Sequence, residues 1–399
     1  MSDPSCDPWL SLIGLGEDGL NGLTGASRAA LDAAEIVFGG PRHLALAETG
    51  PRGREWPVPF SIAPVLAERG RPVAVLASGD PFWHGAGGAL AAALSPGEWR
   101  GFPAPSTFAL AAARLGWRLE EVHCLGLHAA PFERLVPLLA PGVRAICLLR
   151  DGAAPAALAE WLSAHGFGPS RLTVLEALGG PRERRRDSRA EGFALDEVAA
   201  PVAVAIAAAG AQGLPRAGGL SDALFHHRGQ ITKRPVRALT LSALAPRPGE
   251  LLWDIGAGSG SISVEWALAA PGARAIALEP AEGRRALIAA NAEAFGLSHR
   301  IGIVAGTAPE ALAALARPDA VFLGGGASEP VLAALWDCLA PGTRLVANAV
   351  TLETEALLIQ WHARLGGDLM RIAIAEAAPL GRMRGWAPAR PVTQWSVTR

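Results

Sequence analysis

The residues best placed to do chemistry in this chain lie in glycine-rich turns. In LLWDIGAGSGSISVEW, Asp254 sits near the end of an apolar run, and Gly256, Ala257, Gly258, Ser259 and Gly260 follow it. Glycine permits positive φ and lets a ligand approach the backbone closely. Such a turn aims the N–H groups of a helix start at that ligand. Glu279 closes the next apolar run, 23 residues after Gly256. A carboxylate there can accept hydrogen bonds from two vicinal ribose hydroxyls. The pattern is G-A-G-S-G followed by Ser261, not G-x-G-x-x-G, so a nucleoside is provided for and a pyrophosphate is not clearly so. Downstream, VAGTAPEAL reads as a strand end followed by a helix start. It sets Thr307 and Ala308 beside an adenine, although Thr307 also reads as a helix N-cap.

The first half holds three further loops. LIGLGEDG supplies Gly14, Gly16 and Gly19; LASGDPFWHG supplies Gly79, Asp80 and Pro81; PAPSTFA supplies Ser106 and Thr107 at a helix start. Each alone reads as an ordinary turn, and Asp80 and Ser106 also read as caps. Three strand-end loops of one parallel sheet can meet in one crevice. Glu35 precedes the next strand and does not close it, which argues against a dinucleotide site. Lys233, Arg234 and Arg237 cluster beside Thr232. Lys233 and Arg237 are candidate contacts to an anionic substrate, with a solvated helix start as the plain alternative. Gly325, in the run Gly324–Gly326, is a candidate substrate position. Asn348 and Glu353 are candidate catalytic groups, although packing and capping account for them equally. No Ser–His–Asp arrangement is evident. His226 and His227 are adjacent, without the i, i+4 spacing of helical metal ligands, so no metal is expected.

These residues need a scaffold of strands and helices. Short apolar runs alternate with helical segments, the rhythm of parallel-sheet α/β proteins. In the first half the expected strands are Trp9–Gly14, Ile36–Gly39, Pro72–Ala77, Val122–Leu127, Arg144–Leu149, Arg171–Leu178 and Pro201–Ala208. A change near Gly116–Glu121 divides three strands from four, which predicts two lobes. The basic run Arg182–Arg189 reads as a solvated loop. Ala211–Gly219 has a linker's composition. Beyond it Leu251–Ile255, Arg274–Leu278, Arg300–Val304, Asp319–Leu323, Arg344–Ala349, Leu369–Ala375 and Pro391–Val397 read as seven strands, the last two paired as a hairpin. The expected domains are 1–210 and 220–399, joined by 211–219.

The chain has 399 residues, half of them hydrophobic, and a formal net charge of −1. That length favours more than one core, and near-neutrality gives no reason to expect a nucleic-acid partner. Cys6, Cys124, Cys147 and Cys338 form no C-x-x-C pair and read as lone thiols of a reducing compartment. No signal peptide and no membrane span is read from the sequence, so a cytoplasmic, membrane-free protein is expected.

LIGLGEDGLNGLT, AALDAAEIVFGGPRHL and the SGDP loop with its following PST resemble the tetrapyrrole (precorrin) methylase family over roughly the first 210 residues. The stretch from HHRGQITKRPVRALTLSALAPRPGELLWDIGAGSGS through GTAPEAL to GGGASEP is similar to the decarboxylating precorrin methyltransferases. The fusion in this order resembles the bifunctional precorrin methyltransferases of cobalamin biosynthesis. The resemblance implies an α/β protein with a two-lobed tetrapyrrole methylase-like domain followed by a Rossmann-like seven-stranded methyltransferase domain. It implies S-adenosylmethionine as methyl donor and a precorrin as substrate. Methylation at C5 by the first half is implied, as are methylation at C15 and decarboxylation of the C12 acetate by the second. Gly79, Asp80, Ser106 and Thr107 fall on donor-binding loops of the first family. Thr232, Gly256–Gly260, Glu279, Thr307 and Ala308 fall on donor positions of the second. Family loops often carry Cys or Thr where this chain has Ala257 and Ser259. The resemblance also implies self-association through the second half. A dinucleotide oxidoreductase and a binder that has lost catalysis in one half are the rival readings; the oxidoreductase needs a place for pyrophosphate that the second half lacks and the first half supplies only weakly, and the glycine loops kept in both halves disfavour the binder.

Overall fold

Apolar runs bounded by Gly and Pro form the strands of the computed structural model, which describes residues 8–399. By internal packing the chain divides into two compact units. Unit 1 comprises the chain up to Phe132 together with Leu138–Gln212; unit 2 comprises Glu133–Pro137 and Gly213–Arg399.

Unit 1 contains two five-stranded sheets. In the first, β1 (Leu10–Leu15), β2 (Ile36–Gly39), β3 (Gly53–Glu55), β4 (Val73–Ser78) and β5 (Trp99–Phe102) lie parallel in the order β3-β2-β4-β1-β5. Side chains alternate across a strand. Leu10 and Leu12 therefore join one core with Val73 and Val75, and Ile13 and Leu15 join another with Ala74 and Leu76. Burial on both faces explains the continuous apolar runs. The second sheet holds β6 (Val122–Gly126), β7 (Arg144–Leu149), β8 (Arg171–Glu176), β9 (Arg184–Arg189) and β10 (Val202–Ala207) in the order β6-β7-β10-β8-β9. Only β6–β7 pairs in parallel; the other pairs are antiparallel.

The lobes therefore hold five strands each, not three and four. The unexpected β3 and β5 are short, with partly exposed or polar residues. The basic run is not a loop. It forms the antiparallel edge strand β9, whose Arg184 and Arg186 reach the buried Glu176 carboxylate at 2.6 and 3.0 Å.

In unit 2, β11 (Leu251–Ile255), β12 (Arg274–Leu278), β13 (Ile301–Val304), β14 (Ala320–Leu323), β15 (Arg344–Ala349), β16 (Asp368–Ile372) and β19 (Val392–Thr398) form one sheet. Its order is β13-β12-β11-β14-β15-β19-β16, and β19 alone runs antiparallel to both neighbours. The order reverses between β11 and β14, and a crevice opens at the carboxyl ends of strands flanking such a reversal. The two strands expected as a simple hairpin are instead joined through β17 (Ala375–Leu380) and β18 (Met383–Pro388), which pair only with each other. VAGTAPEAL leaves β13 in a turn and reaches only a short 3-10 segment, Leu312–Ala314. Ala308 precedes Pro309, and a residue before proline is biased away from the helical region.

The last residue of the expected linker and the first residue beyond it are held in place. The Gly219 and Leu220 N–H groups donate to the buried Glu265 carboxylate at 2.6 and 2.9 Å. Cys124, Cys147 and Cys338 are free thiols; Cys6 lies outside the described residues. Among the described residues, no helix is long and apolar enough to cross a membrane. Among them too, no group of three or more His, Cys, Asp or Glu side chains is arranged to hold a metal ion.

Candidate functional site

Each unit carries its own set of glycine-rich strand-end loops. In unit 1 the three expected loops meet. The Gly79 N–H donates to Leu15 C=O at 3.1 Å, and the Ala104 N–H donates to Gly79 C=O at 3.0 Å. A methyl group on Gly14 would lie 1.7 Å from Gly79 O and 2.6 Å from Ala104 N. Only glycine therefore allows the ends of β1, β4 and β5 to close together. Gly79 adopts φ +60°, and a side chain there would strike Ser106 Cα at 2.7 Å. Ser106 caps the helix Thr107–Leu115 by accepting from the Ala109 N–H at 3.2 Å. Asp80 does not cap a helix directly. Its Oδ1 accepts from the Phe82 N–H at 2.9 Å, folding the loop around the buried Pro81.

Beside these loops lies a cavity of about 590 Å³, lined by residues of both lobes. Gly16, Gly79, Ser106 and Thr107 face it, with Trp56, Phe60, Trp83, His84 and Phe108 among the aromatic and imidazole walls. Phe60 and Trp83 are 57% and 39% exposed, so large flat surfaces stand open to a ligand. Sequence reading missed a polar group on the same wall: Glu17, Arg42, His43 and Ser78. Ser78 ends β4 directly before Gly79, and Arg42 and His43 follow β2 in the short helix Pro41–Leu46. The signal available was PRHL after an apolar strand.

In unit 2 the G-A-G-S-G segment turns between β11 and the helix Ser261–Ala269. Gly256, Gly258 and Gly260 all have positive φ, at +68°, +62° and +73°. Gly256 packs against Gly325, whose O would lie 2.9 Å from an added Cβ, so the glycine loop after β14 closes on the motif. Glu279 is 1% exposed. It accepts from the Gly258 and Ala281 N–H groups, each at 3.0 Å. A carboxylate has about four acceptor positions, so ribose hydroxyls have lone pairs left to use. Asp254 is buried beneath the loop and accepts from Ser263 N–H and O–H at 3.2 and 2.6 Å. Burial pushes its carboxyl up to about 6; the Ser263 hydrogen bonds oppose this and the Glu279 charge adds to it. Asp254 Oδ1 and Ser259 Oγ are buried without a partner among the described residues. Such orphaned polar atoms at a strand-end glycine loop fit a site completed by a polar ligand. Asn291, missed from sequence, ties the loop to the preceding segment: its Nδ2 donates to Ser259 O at 2.8 Å and to His226 O at 3.0 Å.

The other candidates separate. Thr307 is exposed beyond β13, and its hydroxyl bonds to Glu310 at 2.9 Å and not to a helix start. Ala308 follows it at the same strand end. Thr232 precedes the helix Arg234–Leu244, and Lys233 is its exposed N-cap residue. Arg237 is a correction: it is 0% exposed and cannot contact a substrate. Its guanidinium donates to Glu265, Asp222, Thr232 O and Leu220 O, and stacks over the Phe225 ring at 4.7 Å. Asn348 is 8% exposed. It is held in a network with Thr240 and Gln394 at 2.9 and 3.0 Å, which supports packing over catalysis. Glu353 is exposed in the first turn of the helix Leu352–Leu365.

Comparison with known proteins finds a family match in each half of the chain. Residues 10–194 match the family model for tetrapyrrole (corrin/porphyrin) methylases, and residues 223–399 match that for the precorrin methyltransferase domain. A precorrin-6Y C(5,15)-methyltransferase (decarboxylating) of Sinorhizobium sp. is 52% identical over 407 residues, covering 100% of this chain and 98% of that protein. The protein of the same name from Mycobacterium tuberculosis is 43% identical over 392 residues, covering 97% of this chain and 99% of its own. Among solved structures, the C-terminal domain of the Rhodobacter capsulatus precorrin-6Y C5,15-methyltransferase is 60% identical. It covers 47% of this chain and 100% of its own, with a TM-score of 0.46. Two domain matches in this order, with relatives alike from end to end, show that the chain belongs to the precorrin-6Y C5,15-methyltransferase (decarboxylating) family.

Proposed function

We propose that each unit binds one S-adenosylmethionine and transfers its methyl group to a precorrin, unit 1 at C5 and unit 2 at C15. Unit 2 also removes the carboxyl of the C12 acetate. The observation that carries this reading is the presence of two separate junctions of glycine backbone at strand ends, one per unit. Neither relies on a nucleophile–base pair. Gly79, Ser106 and Thr107, which line the cavity, hold the donor in unit 1, on a junction that Gly14, Asp80 and Pro81 shape from behind. Thr232, Gly256–Gly260, Glu279, Thr307 and Ala308 hold it in unit 2.

The bound donor supplies a methyl group on a sulfonium, from which a neutral thioether departs as a good leaving group. What the chain must contribute is alignment of the substrate carbon with that methyl, and orientation alone is worth a large part of such a barrier. In unit 2, Glu279 is fixed by two backbone N–H groups and is pre-set for the ribose. Gly325 leaves the space beyond β14 free of side chains for the macrocycle. A reduced tetrapyrrole has enamine-like carbons that need no strong base. The attacking carbon keeps the methyl and its ring gains iminium character; in unit 1 loss of the proton from that carbon discharges it, and in unit 2 the acetate does. The C–C bond to the neighbouring acetate carboxylate then breaks, its electron pair neutralises the iminium, and carbon dioxide leaves.

The test uses the full chain with a precorrin and ¹³C-methyl-labelled donor. Mass spectrometry should show a gain of two methyls and loss of one carbon dioxide, and NMR should put the labels on C5 and C15. A Gly258→Val variant should lose the C15 methyl and the carbon dioxide release together. Release of carbon dioxide without that methyl would refute the coupling. Calorimetry that finds one donor per chain would refute the two-site reading.

A further inference from the structure

The cavity of unit 1 contains a polar cluster that donor binding leaves unexplained. One terminal nitrogen of Arg42 donates to Ser78 Oγ at 2.8 Å and lies 3.0 Å from His43 Nε2. His43 Nε2 is itself 2.8 Å from Ser78 Oγ. The other terminal nitrogen pairs with Glu17, which also has Arg182 at 3.7 Å. Two guanidiniums against one carboxylate leave an excess positive charge. The Glu17 side chain is 8% exposed and that of Arg42 is 38% exposed, so the cation is the partner that reaches open space. Arginine has five N–H donors, and the contacts of Arg42 among the described residues engage three of them. Burial, with the Arg42 charge second, holds His43 down at about 4. The imidazole is therefore neutral and accepts from Arg42, fixing the guanidinium in place. Trp56 and Phe60 wall the same cavity, and apolar walls strengthen a charge pair formed between them.

We infer that Arg42, with the Ser78 hydroxyl beside it, binds a carboxylate of the ligand in this cavity, and that this carboxylate belongs to the macrocyclic substrate. The inference rests on reading unit 1 as a methylating site. Carboxylate recognition by an arginine fork and a hydroxyl is the chemistry the group offers. The donor also carries a carboxylate, but its loops gather at the ends of β4, β1 and β5. Arg42 arrives from β2, on the side of β4 away from β1 and β5, and that placement favours the macrocycle.

The experiment compares full-length wild type, Arg42→Met, Arg42→Lys and Ser78→Ala. KM and kcat for the unit 1 methyl transfer to the precorrin are measured by mass spectrometry, and the donor Kd by calorimetry. Arg42→Met should raise KM for the precorrin about tenfold or more, the scale of a lost charged hydrogen bond. It should leave kcat and the donor Kd within about twofold. Arg42→Lys should recover part of the loss, because a point charge replaces the fork. Ser78→Ala keeps the Arg42–Glu17 pair and should raise KM about threefold, which decides the matter if Arg42→Met does not fold. An unchanged KM in both variants overturns the inference. So does a tenfold weaker donor Kd with KM unchanged, which would assign the carboxylate to the donor. A wild-type chain that transfers no methyl through unit 1 would instead defeat the underlying functional reading, whatever Arg42 does.

Discussion

Replacing Arg237 by Met separates a binding arginine from a structural one. The side chain is 0% exposed and touches Glu265, Asp222 and two backbone carbonyls. Met fills much of the same volume but donates nothing. Glu265 would keep its bonds from the Gly219 and Leu220 N–H groups, yet its charge would be left without a cation inside unit 2. Removing one partner of a buried ion pair costs about 3–5 kcal/mol. In a unit of this size each kcal/mol shifts the melting temperature by about 2–4 °C, so its transition should fall by roughly 6–20 °C. Calorimetric melting of the full chain reads this directly, and methyl-transfer kinetics at low temperature read the site. KM for the precorrin should stay within about twofold while the protein is folded. An unchanged melting temperature with a tenfold rise in KM would refute the reasoning and make Arg237 a substrate contact.

Three other outcomes follow from the geometry. Gly14→Ala should destabilise unit 1 by about 2–4 kcal/mol, from overpacking and a weakened Ala104–Gly79 hydrogen bond, and should lower calorimetric stoichiometry from two donors to one; an unaltered titration would contradict it. Glu279→Gln should weaken one of the two donor sites about tenfold, consistent with a hydrogen bond to a charged group, whereas two unaffected sites in the same titration would remove Glu279 from donor binding. Asp254 titrates near 6 when folded and near 3.9 when unfolded, so the folded state holds the extra proton and this contribution is full below about pH 4 and lost as pH rises through 6. Relative to wild type, Asp254→Asn should therefore gain about 1–3 kcal/mol between pH 4 and pH 7 in denaturant unfolding; parallel curves would rule out the raised carboxyl.

Strands buried on both faces were the easiest elements to read. LSLIGL, VAVLAS and VAVAIA are apolar at nearly every position because each side meets a core. The glycine loops were legible for a different reason: positive φ leaves few alternatives to glycine. Short or edge strands escaped, since WRGF and GRE carry little of that signal. RRRDSR was hidden by its charge, because periodicity cannot show that Arg184 and Arg186 meet one buried carboxylate 8 and 10 residues away. Arg237 shows the complementary failure. Its charge suggested a surface, while its partners Glu265 and Asp222 lie 28 and 15 residues distant in sequence. The Arg42–Ser78 pair is separated by 36 residues and forms only when β2 lies beside β4. Long-range pairing of this kind depends on strand order, which local sequence does not encode.

The arginine-bearing edge strand β9 has a consequence for how the protein behaves in crowded solution. The outer side of a sheet is where an unrelated chain can add itself by backbone pairing, the first step toward aggregation. An incoming strand at β9 would have to bring its backbone against guanidinium groups, two of them anchored on Glu176. That margin repels basic and apolar newcomers alike. It makes the second lobe of unit 1 self-limiting, with its growth stopped by charge where the sequence read as a solvated loop.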